Sequence, residues 1–274
     1  MSAYLSGVAE LPSGFSFEVP LRASQDGPPV KPKDAATVML IRDESAGLEV
    51  FLQHRVAGMP FAGGMTVFPG GGVDKRDADA SVAWAGPPPG QWAEWFGCEE
   101  SLARALVCAA VRETFEESGV LLAGTEAGIV EDTAPYSHAR EALVSRELSL
   151  AAFLADERLT LRSDLLRPWA NWITPEAEPR RYDTRFFVAI LPSGQDADGK
   201  TTEADSSGWQ RPEEAIADAQ QGRRTLLPPT WMTLSELSEF ASAAEVLDAE
   251  RSIAPIMPRL VRDGDKVRVV LESR

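Results

Sequence analysis

Short apolar runs alternate with turn residues in the first third of the chain. Residues 35–42 are aliphatic and β-branched, 43–47 supply turn residues, and 48–54 resume an apolar run. Runs of this length, bounded by polar and glycine residues, predict a β-hairpin. Residues 65–68 predict another short strand, which leads directly into Pro69 and three glycines.

The clearest helical pattern spans residues 98–118. Its apolar residues recur at the spacing of one helical face, and Gly119 supplies a C-terminal stop. Residues 120–122 then indicate extended chain. Further helices are predicted at 137–146, at 148–157 with Ser149 as a cap, at 212–220 and within 230–250. Further strands are predicted as a pair within 169–191, at 202–210, and as a hairpin within 260–271. This mixture predicts the α/β (α+β) class.

Prolines and polar stretches mark regions of the chain without dividing it into independent domains. Residues 1–34 contain five prolines and little periodicity, which predicts a loosely ordered arm with one short strand at 15–20. Residues 35–220 predict the main domain, and 221–274 predict a helical extension and terminal hairpin packed on it. Residues 74–97 are polar, rich in proline and tryptophan, and predicted to be irregular; long connections of this kind are often functional.

Composition and charge narrow the class of protein. With 44% hydrophobic and 25% charged residues over 274 positions, the chain has the composition of an ordinary globular protein. Its net charge of −15 disfavours binding to a nucleic-acid backbone or to anionic membranes. No run approaches the ~18 apolar residues of a membrane span, and the first residues lack a signal-peptide pattern. Two cysteines are too few for a disulfide framework. These features favour a cytoplasmic location.

Three carboxylates at the end of the long helix carry the chemistry. Glu113, Glu116 and Glu117 stand at i, i+3 and i+4 within RETFEESGV, so they share one helical face. They repel one another, and the helix dipole disfavours negative charge at a C-terminus. Hard oxygen ligands in this arrangement suit Mg²⁺ or Mn²⁺. The alternative is a solvated acidic face with an Arg112–Glu116 pair, but the glycines at 70–72 favour a site, because they let backbone approach a metal or phosphate.

Together these residues resemble the Nudix box, the signature of hydrolases that cleave diphosphates linked to a nucleoside. RETFEESGV matches the second half of the box except at Thr114, where an aliphatic residue is usual. The first half departs, because Gly72 and Arg112 are 40 positions apart, far more than the family's pattern allows. An insertion at about 74–97 is therefore expected. Arg104 stands where the box has a further glutamate. The candidates to replace that glutamate are Asp74, Asp77 and Asp79, each with loop solvation as the alternative role.

A second resemblance concerns the substrate. Residues 51–77 and 169–187, together with the insertion, are similar to the Nudix subgroup of mammalian peroxisomal and mitochondrial type that hydrolyses coenzyme A and acyl-CoA. The resemblance implies a mixed sheet between helices and cleavage to 3′,5′-ADP and an (acyl-)4′-phosphopantetheine. Two alternatives remain: hydrolysis of ADP-ribose, NADH or dinucleoside polyphosphates, and a nucleotide-sensing protein that does not hydrolyse its ligand. A homodimer is a further possibility, because dimers are common in the family.

The resemblance also assigns roles to residues of the box. Glu113, Glu116 and Glu117 would hold Mg²⁺ or Mn²⁺, completed by a backbone carbonyl such as that of Gly72. Arg112 would orient a box carboxylate through a bidentate contact. Glu203 is a candidate general base, against a plain carboxylate at a strand edge, and Glu117 is the stronger candidate for contact with metal and water.

Substrate phosphates need local positive charge and close backbone approach. Gly70 and Gly71 are candidates for the backbone contact. The candidate guanidinium groups, each with a surface salt bridge as the alternative role, are Arg55, Arg180, Arg181 and Arg185. The tryptophans at 84, 92 and 95 either form an aromatic wall for the ligand or pack the insertion against the domain.

Overall fold

One main sheet organises the molecule. The computed structural model describes residues 28–125, 127–263 and 266–270, so the strand expected at 15–20 and most of the N-terminal arm lie outside the described residues. The strands are β1 (Lys33–Glu44), β2 (Gly47–Arg55), β3 (Thr66–Val67), β4 (Gly70–Gly72), β5 (Trp84–Ala85), β6 (Ala123–Thr125), β7 (Gly128–Ile129), β8 (Thr160–Arg162), β9 (Leu166–Ile173), β10 (Tyr182–Ile190), β11 (Ala204–Gln210), β12 (Pro255–Ile256), β13 (Arg259–Asp263) and β14 (Lys266–Val270). The helices are α1 (Pro89–Phe96), α2 (Glu100–Ser118), α3 (Ser137–Val144), α4 (Leu150–Asp156), α5 (Pro212–Gln220), α6 (Pro228–Leu237) and α7 (Ala243–Asp248).

The main sheet is mixed. Its strands run in the order β11-β2-β1-β10-β9-β12, with β3 paired to β2 and β4 paired to β1. Strands β1 and β10 are parallel, whereas β1 pairs antiparallel with both β2 and β4. A smaller sheet has the order β5-β8-β6-β7, and the described residues of the terminal hairpin pair as β13 and β14. The strands predicted within the described residues and the predicted α/β class are confirmed.

Alternate residues of β1 enter two different cores. Ala36, Val38 and Leu40 pack with the apolar face of α2, while Met39 and Ile41 pack with residues of α6 and α7 on the opposite side. This alternation follows from the two-residue period of a strand. The sheet therefore lies between helices, as expected. None of the helices in the described ranges is long and apolar enough to cross a membrane.

The stretch 74–97 is more ordered than its composition indicates. It contains a 3-10 helix at Lys75–Ala78, strand β5 and helix α1. The prediction of an irregular connection was therefore wrong, since proline is compatible with a first helical turn and α1 begins with proline. Trp92 is fully buried and contacts Trp95 edge-on, with 4.9 Å between ring centroids. This favours packing over an aromatic wall for that pair.

Helix α2 places the carboxylates. It begins at Glu100, two residues after the predicted start, and ends at Ser118, followed by the C-cap residue Gly119, which has a φ of 75°. A left-handed backbone conformation at this position favours glycine. The expected cap of α4 is also present, because the Ser149 side chain accepts from the backbone N–H of Ala152.

Candidate active site

The end of α2 packs its carboxylates directly on the glycine strand β4. The Gly70 backbone N–H donates to Glu117 Oε2 over 3.0 Å. A Cβ on Gly71 would lie 2.5 Å from Glu113 Oε1, so any larger residue would displace that carboxylate. Residues 70 and 71 thus contact the box glutamates. Their expected contact with a substrate phosphate stays a prediction.

Arg112 lies at the centre of this cluster. Its Nη1 donates to Glu113 Oε1 over 2.7 Å and to Glu116 Oε1 over 3.3 Å. Its Nε and Nη2 donate to the two carboxylate oxygens of Asp77 over 3.0 and 2.9 Å, and Nη2 also reaches the Gly72 carbonyl over 3.0 Å. The prediction that Arg112 makes its bidentate contact with a box carboxylate was therefore wrong. That contact goes to Asp77, which the fold brings next to Arg112.

Of the three aspartates considered as replacements for the missing box glutamate, only Asp77 is buried, with 3% of its surface exposed. Loop solvation is therefore not its role. Asp74 caps the 3-10 helix, and Asp79 accepts from the Ser81 N–H on the surface. Arg104 points elsewhere, since its guanidinium stacks over the Trp84 ring at 5.4 Å.

All three box carboxylates resist ionisation. Burial raises the pKa of Glu113 to about 7, with a further contribution from the charge of Glu116 and an opposing one from Arg112. Burial also raises the pKa of Glu116, and burial together with the Glu113 charge raises that of Glu117 well above its ordinary value. A cluster of largely buried carboxylates that one arginine does not neutralise is typical of a functional site.

The donor set fits a hard divalent cation. Within the ranges that the structure describes, no three His, Cys, Asp or Glu side chains are grouped closely enough to hold an ion as they stand. The reason is that Glu113 and Glu116 turn toward Arg112, whereas Glu117 turns toward Gly70. Glu113 and Glu117 nevertheless contact neighbouring residues of the same strand, and all donors are oxygens. The three carboxylates lie on one face of one helix, and oxygen donors suit Mg²⁺ or Mn²⁺.

An ion pair lies at the end of β2. Arg55 Nη2, in the last residue of β2, donates to Oε2 of Glu203, the residue before β11, over 2.6 Å. The charge of Glu203 raises the pKa of both Glu113 and Glu117, and the charge of Arg55 lowers that of Glu117, so the pair influences the ionisation of the cluster. The Arg55 Nε is buried and has no hydrogen-bond partner among the described residues.

Two of the remaining predicted arginines contact acceptors outside the cluster. Arg181 is buried, and its guanidinium donates to the backbone carbonyls of Thr174 and Val30. Arg185 is buried too and pairs with Asp183 over 2.7 Å. Arg180 is exposed. The grouping of these arginines in the sequence thus does not produce one phosphate-binding patch, since two of them satisfy nearby acceptors in the fold.

Two contacts that sequence reasoning missed hold the end of α2. Arg140 Nε donates to the Glu116 carbonyl over 3.0 Å, and its Nη1 donates to Asp198 over 2.9 Å. Gln53 Nε2 donates to the Glu117 carbonyl over 3.2 Å. The one available signal was Gln53, a polar residue inside an apolar strand; nothing in the sequence indicated Arg140.

Comparisons with known proteins agree with this geometry. The family model for the NUDT19 Nudix domain matches residues 99–237. An acyl-coenzyme A diphosphatase NUDT19 of Xenopus laevis is 31% identical over 155 residues, covering 51% of this chain and 40% of that protein. The Gallus gallus protein of the same name is 30% identical over 244 residues, covering 70% of this chain and 61% of that protein. The chain thus spans about half the length of such relatives. A crystal structure of a NUDIX hydrolase from Alicyclobacillus acidocaldarius matches with a TM-score of 0.70 and 27% identity, covering 81% of this chain and 98% of that chain.

Proposed function

The chain belongs to the Nudix family, and on that premise we propose that it hydrolyses the diphosphate bond of a nucleoside diphosphate derivative. The observation that carries the proposal is the cluster of three carboxylates with raised pKa values at the end of α2, of which Glu117 is buried and accepts from the glycine strand. Such a cluster is costly in a folded protein unless a cation or a proton neutralises it. A diphosphate substrate needs the cation.

The proposed metal ligands are Glu113, Glu116 and Glu117, with the carbonyl of Gly72 nearby. When bound, Mg²⁺ or Mn²⁺ would neutralise phosphate oxygens and lower the pKa of a coordinated water. Arg112 already touches two of the glutamates and the Gly72 carbonyl. It therefore fixes the relative positions of the ligands, and the Gly70 N–H does the same for Glu117.

Arg55 and Glu203 are the proposed substrate-side groups. Arg55 holds the Glu203 carboxylate with Nη2 and keeps its Nε free of partners among the described residues. The exposed part of this guanidinium is the proposed contact for a phosphate oxygen. Glu203 is proposed as the general base, because one of its carboxylate oxygens would accept a proton from the attacking water. Water then adds to one phosphorus and the bridging P–O bond breaks, giving two phosphomonoesters.

We propose CoA or acyl-CoA as the substrate, because relatives covering more than half of this chain are named acyl-coenzyme A diphosphatases. The products would be 3′,5′-ADP and an (acyl-)4′-phosphopantetheine. Arg180, which is exposed, is the remaining candidate from the 180–185 cluster for contact with an outer phosphate.

We further propose domain limits at 35–220 and 221–274, a homodimer and a cytoplasmic location. Sedimentation of the purified protein tests the dimer.

A substrate panel tests the activity. Purified protein is incubated with CoA, an acyl-CoA, ADP-ribose, NADH and diadenosine polyphosphates, in Mg²⁺, in Mn²⁺ and in EDTA, and phosphomonoester products are quantified. We expect metal-dependent release of 3′,5′-ADP from CoA or acyl-CoA. Faster hydrolysis of another compound in the panel would make that compound the substrate in place of CoA or acyl-CoA. Tight binding of one compound without any hydrolysis would favour a nucleotide-sensing protein.

Variants test the roles. Glu116→Gln and Glu117→Gln should remove most metal-dependent turnover. Glu203→Gln should lower kcat by about 10²-fold or more, the range for loss of a general base. The matched control is Asp205→Asn, two residues along the same strand region, where the exposed carboxylate pairs with His54. Near-normal kcat for Glu203→Gln would remove Glu203 from the mechanism and leave the metal site untouched.

A further inference from the structure

The inserted segment contributes a fixed carboxylate to the centre of the carboxylate cluster. Asp77 belongs to the 3-10 helix at Lys75–Ala78, and its Oδ2 accepts from the Asp74 N–H over 2.8 Å. In return the Asp74 side chain accepts from the first turn of the same helix, which completes a capping box. The position of the Asp77 carboxylate is therefore set by its own segment.

Asp77 engages the side of Arg112 that points away from the glutamates. Asp77 accepts from Nε and Nη2, leaving only Nη1 to reach Glu113 and Glu116. A guanidinium binds a carboxylate best through two parallel N–H groups. With Asp77 absent, Arg112 would be free to turn and make that bidentate contact with a glutamate of the box.

The charges lead to the same conclusion. Arg112 carries one positive charge in a buried site, and Asp77 is the carboxylate nearest to it that lies outside the box. A guanidinium balanced by Asp77 leaves the box glutamates negatively charged as a group. A guanidinium without that partner would balance one of the glutamates instead, and it would compete with a cation for the same oxygens.

We propose that Asp77 is a positioning residue for the metal site: it holds Arg112 in an orientation that leaves Glu113 and Glu116 able to bind a divalent cation. This inference rests on the proposed function, because it assumes that the box glutamates hold a metal. It also gives the insertion a role in the site, since the insertion supplies the carboxylate that Arg104 does not.

Metal affinity without substrate is the direct test. Binding of Mn²⁺ is measured from the paramagnetic resonance signal of the free ion, in wild-type protein, Asp77→Asn and the control Asp79→Asn. Loss of a group that orients metal ligands costs about 10- to 100-fold in affinity, so we expect Asp77→Asn to bind Mn²⁺ that much more weakly. Asp79 is exposed, and its variant should bind like the wild type. Asp77→Glu, which restores the charge, should recover part of the affinity.

A second pair of variants separates positioning from general damage. Arg112→Gln is compared with the double variant Asp77→Asn/Arg112→Gln, which contains no unpaired buried guanidinium and tests the inference even if Asp77→Asn alone does not fold. If Asp77 acts through Arg112, the two should bind Mn²⁺ within about twofold of each other, since independent sites add and coupled sites do not. A tenfold weaker double variant, or an Asp77→Asn protein that binds like the wild type, would overturn the inference. Wild-type protein that binds no Mn²⁺ would instead refute the proposed metal site.

Discussion

Neutralising Glu113 is expected to stabilise the metal-free protein while it removes a ligand of the proposed metal site. The side chain is only 12% exposed, and burial is the main reason why its pKa rises from the ordinary 4.5 to about 7. The charges of Glu116 and Glu203 add to the rise, and Arg112 does not fully offset it. The ionised form of Glu113 is therefore less favourable in the folded protein than in the unfolded chain.

The sign and size of the effect follow from proton linkage. Between the ordinary pKa of the unfolded carboxyl and the folded value of about 7, the folded protein holds more protons. Its stability thus falls as the pH rises through this window and is constant again above it. At about 1.4 kcal/mol per pKa unit, ionisation of Glu113 lowers the free energy of unfolding by about 3 kcal/mol, and most of this loss occurs between pH 5 and pH 8. Glu113→Gln cannot ionise, so it avoids this cost.

Urea denaturation in EDTA at several pH values from 5 to 8 measures the effect. The free energy of unfolding of Glu113→Gln minus that of the wild type should grow by about 2 to 3 kcal/mol from pH 5 to pH 8. The control is Glu100→Gln, an exposed glutamate at the other end of α2, which should change the free energy by at most about 0.5 kcal/mol. Taking the difference between variant and wild type at each pH removes the contribution of Glu236, whose pKa burial also raises.

A difference that is the same at pH 5 and pH 8 would refute this reasoning, and so would a variant less stable than the wild type at pH 8 in EDTA. The first result would mean that the Glu113 charge is already balanced by Arg112. The second would mean that the Arg112–Glu113 hydrogen bond outweighs the cost of burial.

Three further outcomes are expected. Gly71→Ala should weaken Mn²⁺ binding about tenfold or more, because its Cβ displaces the flexible Glu113 carboxylate. The urea midpoint should change little. Gly72→Ala, with open space around its Cβ, should bind Mn²⁺ as the wild type does. Gly119→Ala should lower the free energy of unfolding by about 2 to 3 kcal/mol, because its positive φ is joined by a clash with a held guanidinium 2.8 Å away. Gly97→Ala, also at positive φ but unobstructed, should cost only about 1 kcal/mol. Adding Mg²⁺ at a hundredfold excess over its Kd should stabilise the wild type by about 2.7 kcal/mol in the same urea assay, and Glu113→Gln by much less.

Periodicity predicted most of the elements because each is specified locally. Helix α2 combines helical spacing of its apolar residues with a glycine stop, and the prediction missed its start by only two residues. Helix α1 was missed because three prolines and a glycine precede its first tryptophan, which indicates a loop by composition alone. Proline is compatible with the first turn of a helix, so the composition did not exclude what the burial of Trp92 stabilises.

The candidate site was likewise predictable only where a local sequence pattern specifies it. The three glutamates were predictable because they fall within five consecutive helical residues, whose spacing places them on one face. The partners of this helix were not predictable, since Asp77 lies 35 positions from Arg112 and Arg140 lies 24 positions from Glu116. Charge grouping was a poor guide for the same reason: Arg181 meets backbone carbonyls that only the fold brings within reach.

An insertion between the two halves of a site need not disturb the site, and this chain shows the physical reason. Gly72 and Arg112 are 3.0 Å apart, carbonyl oxygen to guanidinium nitrogen, although 40 positions separate them. Lengthening a connection costs little entropy, only about 0.6 kcal/mol for each doubling. The inserted residues Trp92 and Phe96 are buried in the same core as α2, so apolar burial stabilises their ordering, at roughly 2 kcal/mol for a large side chain. Once the insertion is anchored in this way, a carboxylate at its start has a fixed position beside the box, and the box no longer needs one from its own helix.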